Sequence, residues 1–378
     1  MSRDQKSLAD QVDFTHLMTI GYFAKILPRS LIDQVLALTG RDSMRIRLFP
    51  APEVVYFLMF MAINRRPSLE EIVRIFNQSI QKLSWAPQNC PRPNKSAISQ
   101  ARTRLGSEPI RLMADQVLRP MAWPDYPGAW YKGQRLMSMD ETSFDLPDQQ
   151  ENAAYFGYPE APKGQAVLPQ VKVLALVETA TRTITAAEMG PCSLDSRDFT
   201  EKLLQRKKIS ANMLWLADWN HVGDGLLSKA LALKAKVICS VQAEINYQHI
   251  KDLPDGSILA TIYDPASNHG SVYVRVIKHK PEKPGPENQK KPYEKYPLLT
   301  NFLNHEQAPA HELSALYYEN HKIDSLYGEF KKSSRGARTI LRSKKPDLVL
   351  QELWALLLAH FALKDLMTEF SWLKKTSP

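Results

Sequence analysis

Three acidic residues have types and positions that could hold metal ions. Asp140 ends a short alternating stretch over 135–139, and Asp218 ends an apolar stretch over 213–217, so we expect both at strand ends. Asp324 lies on a predicted helix over 316–330. Carboxylates brought together by a sheet can hold two Mg²⁺ ions, which activate a water or hydroxyl and stabilise the leaving oxygen of a phosphodiester. Spacing alone is weak evidence, because acids at strand ends also cap helices or face solvent.

The elements that would position these acids follow a recognisable order. Apolar patterns predict strands at 135–139, 171–177, 183–188, 213–217 and 237–241, with helices near 199–205 and 226–233. Three strands followed by helix, strand, helix and strand are typical of a mixed α/β sheet. Asp324 follows Asp218 by 106 residues, which is long for a compact core. We therefore expect the strand-rich stretch between them, about 242–300, to be an inserted subdomain.

The first third of the chain has a helical pattern from about residue 17 to residue 122. Ser68 and Glu71 fit a capping box that opens a helix over 69–80. Residues 95–105 form a polar, basic helix in which Lys95 and Arg102 are candidate DNA contacts. A solvated helix face explains the same pattern equally well, and both interpretations stay open.

Composition favours a polyanionic partner, although only weakly. The 378 residues are 44% hydrophobic and 24% charged, with a formal net charge of +9.

Three cysteines lie far apart, which suits a reducing cytosol, and the first 14 residues lack the apolar core of a signal peptide. The apolar stretches 54–63 and 353–363 are short for a membrane span. We expect a cytoplasmic protein with both stretches in buried helices.

A run of basic residues without an intervening acid follows the third aspartate. Such a run suits contact with the DNA backbone, and the alternative is a solvated tail. Its members are Lys331, Lys332, Arg335, Arg338, Arg342, Lys344 and Lys345.

Segments distributed along nearly the whole chain resemble transposases of the insertion-sequence-4 family, in family order. They are 27–40, 54–57, 95–106, 139–148, 151–157, 189–192, 216–218, 335–344 and 351–360. The resemblance implies a helical N-terminal DNA-binding domain over 1–122 and an RNase H-like catalytic domain over 123–378 with a β-rich insertion. It also implies Mg²⁺ (or Mn²⁺) held by Asp140, Asp218 and Asp324, a homodimer on DNA, and cleavage and strand transfer at transposon ends.

The region around the third acid is similar to the family motif but departs from it. Tyr317 and Lys331 match the family's tyrosine and lysine, whereas Asn320 stands in place of an arginine and Asp324 in place of a glutamate. The resemblance implies that Tyr317, Asn320 and Lys331 lie near DNA phosphates, although Tyr317 could instead be a core aromatic. Because an amide cannot replace an arginine's bidentate phosphate contact, a decayed, DNA-binding transposase is the alternative function.

Two neighbouring acids are predicted to lie outside this site. Strand alternation turns Glu141 to the opposite face of the sheet from Asp140. Asp145 is expected to be a surface or loop residue.

Overall fold

The computed structural model forms two compact units. It describes residues 16–42, 49–64, 67–83, 93–160, 167–206, 208–241, 246–267, 269–278, 296–320 and 340–376, without the side chains of 224, 226, 320 and 373–376. The first unit comprises Met1–Arg119, Leu146–Tyr155 and Leu341–Pro378, and the second comprises Pro120–Asp145 and Phe156–Ile340. The described residues from 341 onward pack with the N-terminal helices.

The helices run along the whole chain, and most belong to the first unit. In chain order they are α1 (residues 16–26), α2 (Arg29–Leu38), α3 (Ala51–Ile63), α4 (Leu69–Lys82), α5 (Lys95–Leu105), α6 (Glu108–Val117), α7 (Gln150–Phe156), α8 (Ser196–Gln205), α9 (Trp219–Ala232), α10 (Ala310–Asn320) and α11 (Pro346–Thr376).

The first unit is built around two apolar helices, α3 and α11. Helix α3 is apolar on every side, and its residues 54–62 are all buried. Helix α11 packs against α3, α5 and α6. The predicted cap of α4 is confirmed, because the backbone N–H of Glu71 donates to the Ser68 hydroxyl at 3.2 Å. Burial of both predicted apolar stretches is also confirmed.

Helix α11 is long and apolar enough over Pro346–Trp372 to cross a membrane by length and composition alone. Within its most apolar window, however, 78% is buried inside the protein. The same apolar surface therefore serves the core of the first unit.

The second unit contains the sheet, which has ten strands among the described residues. They are β1 (Trp130–Tyr131), β2 (Gln134–Asp145), β3 (Gln170–Glu178), β4 (Thr183–Pro191), β5 (Met213–Asp218), β6 (Lys236–Ser240), β7 (Tyr247–Asp252), β8 (Ile258–Tyr263), β9 (Ser271–Ile277) and β10 (Leu298–Thr300). Their order is β4-β3-β2-β5-β6-β10-β9-β8-β7, with β1 beside β2. The predicted mixed α/β layout is confirmed.

The type of strand pairing changes twice across the sheet. Strands β2, β3 and β4 pair antiparallel, whereas β5 pairs parallel with β2 and β6 pairs parallel with β5. Strand β10 then pairs antiparallel with β6, and β9, β8 and β7 follow antiparallel. The described strands between residues 247 and 300 therefore extend the central sheet beyond β6.

Alternation of side chains gives the sheet two distinct faces. On one face, Met139, Trp215 and Cys239 join a core with Phe199 of α8 and Leu227 of α9. On the other, the core consists of Leu136, Leu214, Leu216, Ile238, Leu298 and residues of α10, among them Leu313 and Tyr317. Residues two positions beyond Leu216 and Ile238 therefore point to the α10 face.

Candidate functional site

Asp140 and Asp218 occupy equivalent positions on two adjacent parallel strands. Ser138 of β2 is the register partner of Leu216 of β5, and the two aspartates lie two residues further along each strand. Both follow residues of the α10 face and are half-buried. Neighbouring strands lie about 4.8 Å apart, so continuing this register by two residues puts Asp140 and Asp218 at adjacent positions on one face of the sheet.

Two hydroxyl groups from different elements bind one oxygen of Asp218. Ser240, the register partner of Asp218 on β6, donates to Oδ1 at 2.8 Å. Tyr317 of α10 donates to the same oxygen at 3.0 Å. Burial, together with the charge of Asp218, raises the pKa of the Tyr317 phenol well above its usual value, so it remains a protonated donor.

The location of Tyr317 corrects its expected role as a phosphate contact. Its side chain is fully buried in the core between α10 and the sheet. The alternative interpretation, a core aromatic, describes it better. Its hydroxyl nevertheless belongs to the acid site through Asp218.

The remaining candidates around the third acid fall outside the described residues. These are Asp324, Lys331, Lys332, Arg335 and Arg338, together with the side chain of Asn320. Helix α10 ends at Asn320, four residues before Asp324. Over the described ranges, no group of three or more His, Cys, Asp or Glu residues could hold a metal ion. The described part of the site therefore supplies two carboxylates.

Glu141 and Asp145 lie apart from this pair. Glu141 accepts a hydrogen bond from Ser196 at the start of α8 and lies 3.6 Å from Lys172, which confirms its predicted orientation to the opposite face. Asp145, however, is not in a surface loop: it ends β2, is buried, and accepts from Gln170 at 2.7 Å. Asp145 is thus held within the sheet by its neighbour on β3.

Arg102 of the basic helix α5 is a structural residue, which corrects its assignment as a DNA contact. It is only 8% exposed. Its guanidinium donates to the Gln351 side chain at 3.0 Å, the Ser343 hydroxyl at 2.8 Å and the Leu348 carbonyl at 3.1 Å. These partners belong to the C-terminal segment of the same unit, so Arg102 attaches α5 to that segment.

Lys95 and Arg342 differ in exposure from Arg102. Lys95 is well exposed at the start of α5 and pairs with Glu70 at 2.9 Å. Arg342 is half-buried, and its guanidinium donates to the carbonyl of Pro67 at 2.9 Å. Of these three basic residues, Lys95 is the most accessible to an external partner.

The chemistry of the donor set fits a hard divalent cation. Carboxylate oxygens are the ligands that Mg²⁺ prefers, and the site presents two of them from adjacent strands. The hydroxyls of Ser240 and Tyr317 donate to one of these ligands, as outer partners of metal-binding groups commonly do.

Comparisons with known proteins agree with the resemblance in the sequence. The insertion element 4 transposase N-terminal family matches residues 17–115. The transposase InsG for insertion sequence element IS4 of Escherichia coli (strain K12) is 28% identical over 346 residues, covering 88% of this chain and 73% of that protein. The putative transposase InsZ of the same organism is 26% identical over 170 residues, covering 45% of this chain and 54% of its own length.

Solved structures show only a distant likeness. The piggyBac transposase synaptic complex with hairpin DNA has a TM-score of 0.43 at 10% identity, over 94% of this chain and 76% of that one. The Mos1 transposase paired-end complex has a TM-score of 0.19 at 11% identity, over 52% and 60%. Scores this low do not establish a shared fold. The sequence relatives carry more weight: the chain is similar to insertion-sequence-4 transposases over most of its length.

Proposed function

We propose that this protein is a DNA transposase that cleaves strands at transposon ends and transfers them to target DNA in a metal-dependent reaction. The single observation that supports this most directly is the register of β2 and β5, which aligns Asp140 with Asp218 on one sheet face. Two adjacent carboxylates at this edge supply ligands for divalent ions beside a phosphodiester.

We infer that the sheet is an RNase H-like catalytic core. Support comes from three antiparallel strands followed by two parallel strands, with α8 and α9 in the connections. The acids lie on the first and fourth of these five strands, β2 and β5. The helix that leads toward the third acid, α10, covers the same face.

In this proposal Asp140, Asp218 and Asp324 are the metal ligands, and Ser240 and Tyr317 hold Asp218. When bound, Mg²⁺ or Mn²⁺ would activate a water or a 3′-hydroxyl and stabilise the leaving oxygen. Polar and basic side chains would hold the DNA backbone. We assign this role to Lys95, Lys331, Lys332, Arg335 and Arg338, together with the amide of Asn320. We expect a homodimer because two transposon ends must be paired before cleavage.

The second candidate function is a decayed transposase that binds DNA without cutting it. Asn320 and Asp324 favour it, because they stand where the family has arginine and glutamate. An aspartate reaches one methylene less far from its helix, and asparagine lacks the charged fork that binds a phosphate. Inverted repeats and target duplications flanking the gene would favour an active element.

The test is strand cleavage of the element's own ends with Mg²⁺ or Mn²⁺. Asp140→Asn and Asp218→Asn are expected to abolish cleavage while DNA binding persists. Glu141→Gln, on the same strand but the opposite face, is the matched control and should leave cleavage intact. Equal activity of the natural protein and Asp218→Asn would refute the proposed chemistry.

A companion variant separates the two candidate functions. Asp324→Glu combined with Asn320→Arg restores the family residues. If the natural chain is decayed, this double variant gains cleavage, whereas full cleavage by the natural chain, unchanged in the double variant, would eliminate the decayed interpretation.

A further inference from the structure

We propose that Ser240 and Tyr317 form a hydroxyl clamp on Oδ1 of Asp218 and are positioning residues that set the affinity of the site for its metal ions. The hydroxyl clamp is defined by these two side chains alone. The inference rests on the proposed function, because it concerns how a proposed ligand is held.

The first half of the hydroxyl clamp comes from the sheet. Ser240 ends β6, is the register partner of Asp218, and is only 3% exposed. Its Oγ lies 2.8 Å from Oδ1 of Asp218. Because the backbone ladder fixes both residues at the same level, this hydrogen bond requires no rearrangement of the strands.

The second half comes from a helix on the same face. The side chain of Tyr317 is fully buried in the core that includes Leu216, Ile238 and Leu313. Its oxygen lies 3.0 Å from Oδ1 of Asp218 and 3.3 Å from the carbonyl of Ala217. A carboxylate that accepts two hydrogen bonds at one oxygen cannot rotate without losing both, so the direction of its other oxygen is also fixed.

The hydroxyl clamp joins the two elements that flank the β-rich extension. Ser240 immediately precedes residues 242–300, whereas Tyr317 lies on the helix that follows them. The extension therefore returns the chain so that α10 meets the end of β5. A serine and a tyrosine separated by 77 residues act on one atom of Asp218.

Outer-shell donors of this kind typically change metal affinity about 10- to 100-fold when removed. Ser240→Ala and Tyr317→Phe each remove one hydroxyl and retain the rest of the side chain. We expect each variant to weaken Mn²⁺ binding by about that factor. If the two donors serve one function, the double variant should bind Mn²⁺ less weakly than the two single effects combined would give.

Calorimetric titration of the full chain with Mn²⁺, without DNA, measures this directly. Two matched controls are available. Ser138→Ala removes a buried hydroxyl two residues before Asp140 that has no hydrogen-bond partner among the described residues. Tyr318→Phe removes the neighbouring phenol, whose hydroxyl donates to the carbonyl of Tyr296 at 3.3 Å. Both controls should bind Mn²⁺ like the natural protein.

The outcomes distinguish the hydroxyl clamp from the site itself. Weaker Mn²⁺ binding in Ser240→Ala and Tyr317→Phe, with unchanged controls, supports the inference. Unchanged binding in both variants, while Asp218→Asn abolishes it, overturns the hydroxyl clamp and leaves the metal site standing. If Asp218→Asn binds Mn²⁺ as the natural protein does, the proposed site is wrong and the hydroxyl clamp falls with it. Should one variant fail to fold, the other tests the same oxygen from a different element.

Discussion

Arg275 of β9 and Asp255, in the turn between β7 and β8, form an enclosed ion pair that reaches the start of α10. Nη2 of Arg275 donates to Oδ2 of Asp255 at 2.5 Å, and the same oxygen accepts from the backbone N–H of Ala310 at 2.9 Å. Arg275 is fully buried and also donates to the carbonyls of Phe302 and Ala308. The β-rich extension thereby holds the segment that precedes α10, the helix of Tyr317.

We predict that Asp255→Ala strongly destabilises the protein. It leaves the Arg275 guanidinium buried without its counter-charge and removes an acceptor at the first turn of α10, which should cost about 3–5 kcal/mol. Denaturant unfolding measures the loss. Asp252→Ala, at an 83% exposed acid of β7, is the control and should change little. A loss for Asp255→Ala no larger than for this control would contradict the role of the ion pair.

Arg102→Ala is predicted to reduce stability without reducing the number of DNA contacts. The change leaves the buried acceptors on Gln351, Ser343 and Leu348 without their donor. Hydrogen bonds to a charged group are worth about 1.5–3 kcal/mol each. Denaturant unfolding should show a loss of at least about 3 kcal/mol. The salt dependence of DNA affinity should stay the same at temperatures where the variant is folded. A smaller slope of log DNA affinity against log salt concentration in Arg102→Ala would show that Arg102 does contact DNA.

Lys95→Ala on the same helix should show the opposite behaviour. Lys95 is exposed and pairs only at the surface with Glu70, so its removal should leave stability nearly unchanged. If it contacts a phosphate, the slope of log affinity against log salt falls by about one. The measurement is DNA binding over a series of salt concentrations. An unchanged slope would remove α5 from the proposed DNA surface.

We predict that the free energy of unfolding falls in mild acid because of His360 in α11. Burial, reinforced by the nearby charge of Lys364, lowers the pKa of His360 to about 3. The unfolded chain takes up this proton near pH 6.5 and the folded chain does not, so stability falls as pH drops below about 6.5. This one group contributes a slope of about 1.4 kcal/mol per pH unit down to about pH 3. Unfolding of His360→Gln at pH 7 and pH 5 should show a smaller difference than the natural chain, and an equal difference would contradict the assignment.

Local patterns predicted the elements well because each pattern has a local physical cause. The α4 cap needs only Ser68 and the N–H three residues later, and the strands around Asp140 and Asp218 are marked by alternation and apolar runs. Strand-end acids are therefore visible in sequence. Their shared level in the sheet is not visible, because it depends on the register between β2 and β5.

Residues whose roles depend on distant partners could not be assigned in this way. Charge alone does not distinguish an arginine that binds phosphate from Arg102, whose acceptors lie more than 240 residues later. Ser240 gave no signal, since a serine ending an apolar strand is ordinary until its register with Asp218 is known. Strand β10 has only three residues, too few for a pattern, so the continuation of the sheet through it was missed.

The first unit is built from three separate stretches of the chain, so it can be completed only after the third stretch has been translated. Residues 17–115 carry the family's N-terminal match, yet α11, which packs against α3, is translated after the other helices of the first unit. Until the ribosome has delivered residues 346–376, the apolar surface of α3 has no native cover from α11. A gene copy truncated by a frameshift before this helix would therefore yield a nascent chain with an intact N-terminal domain sequence that cannot complete that domain and is exposed to chaperones and proteases.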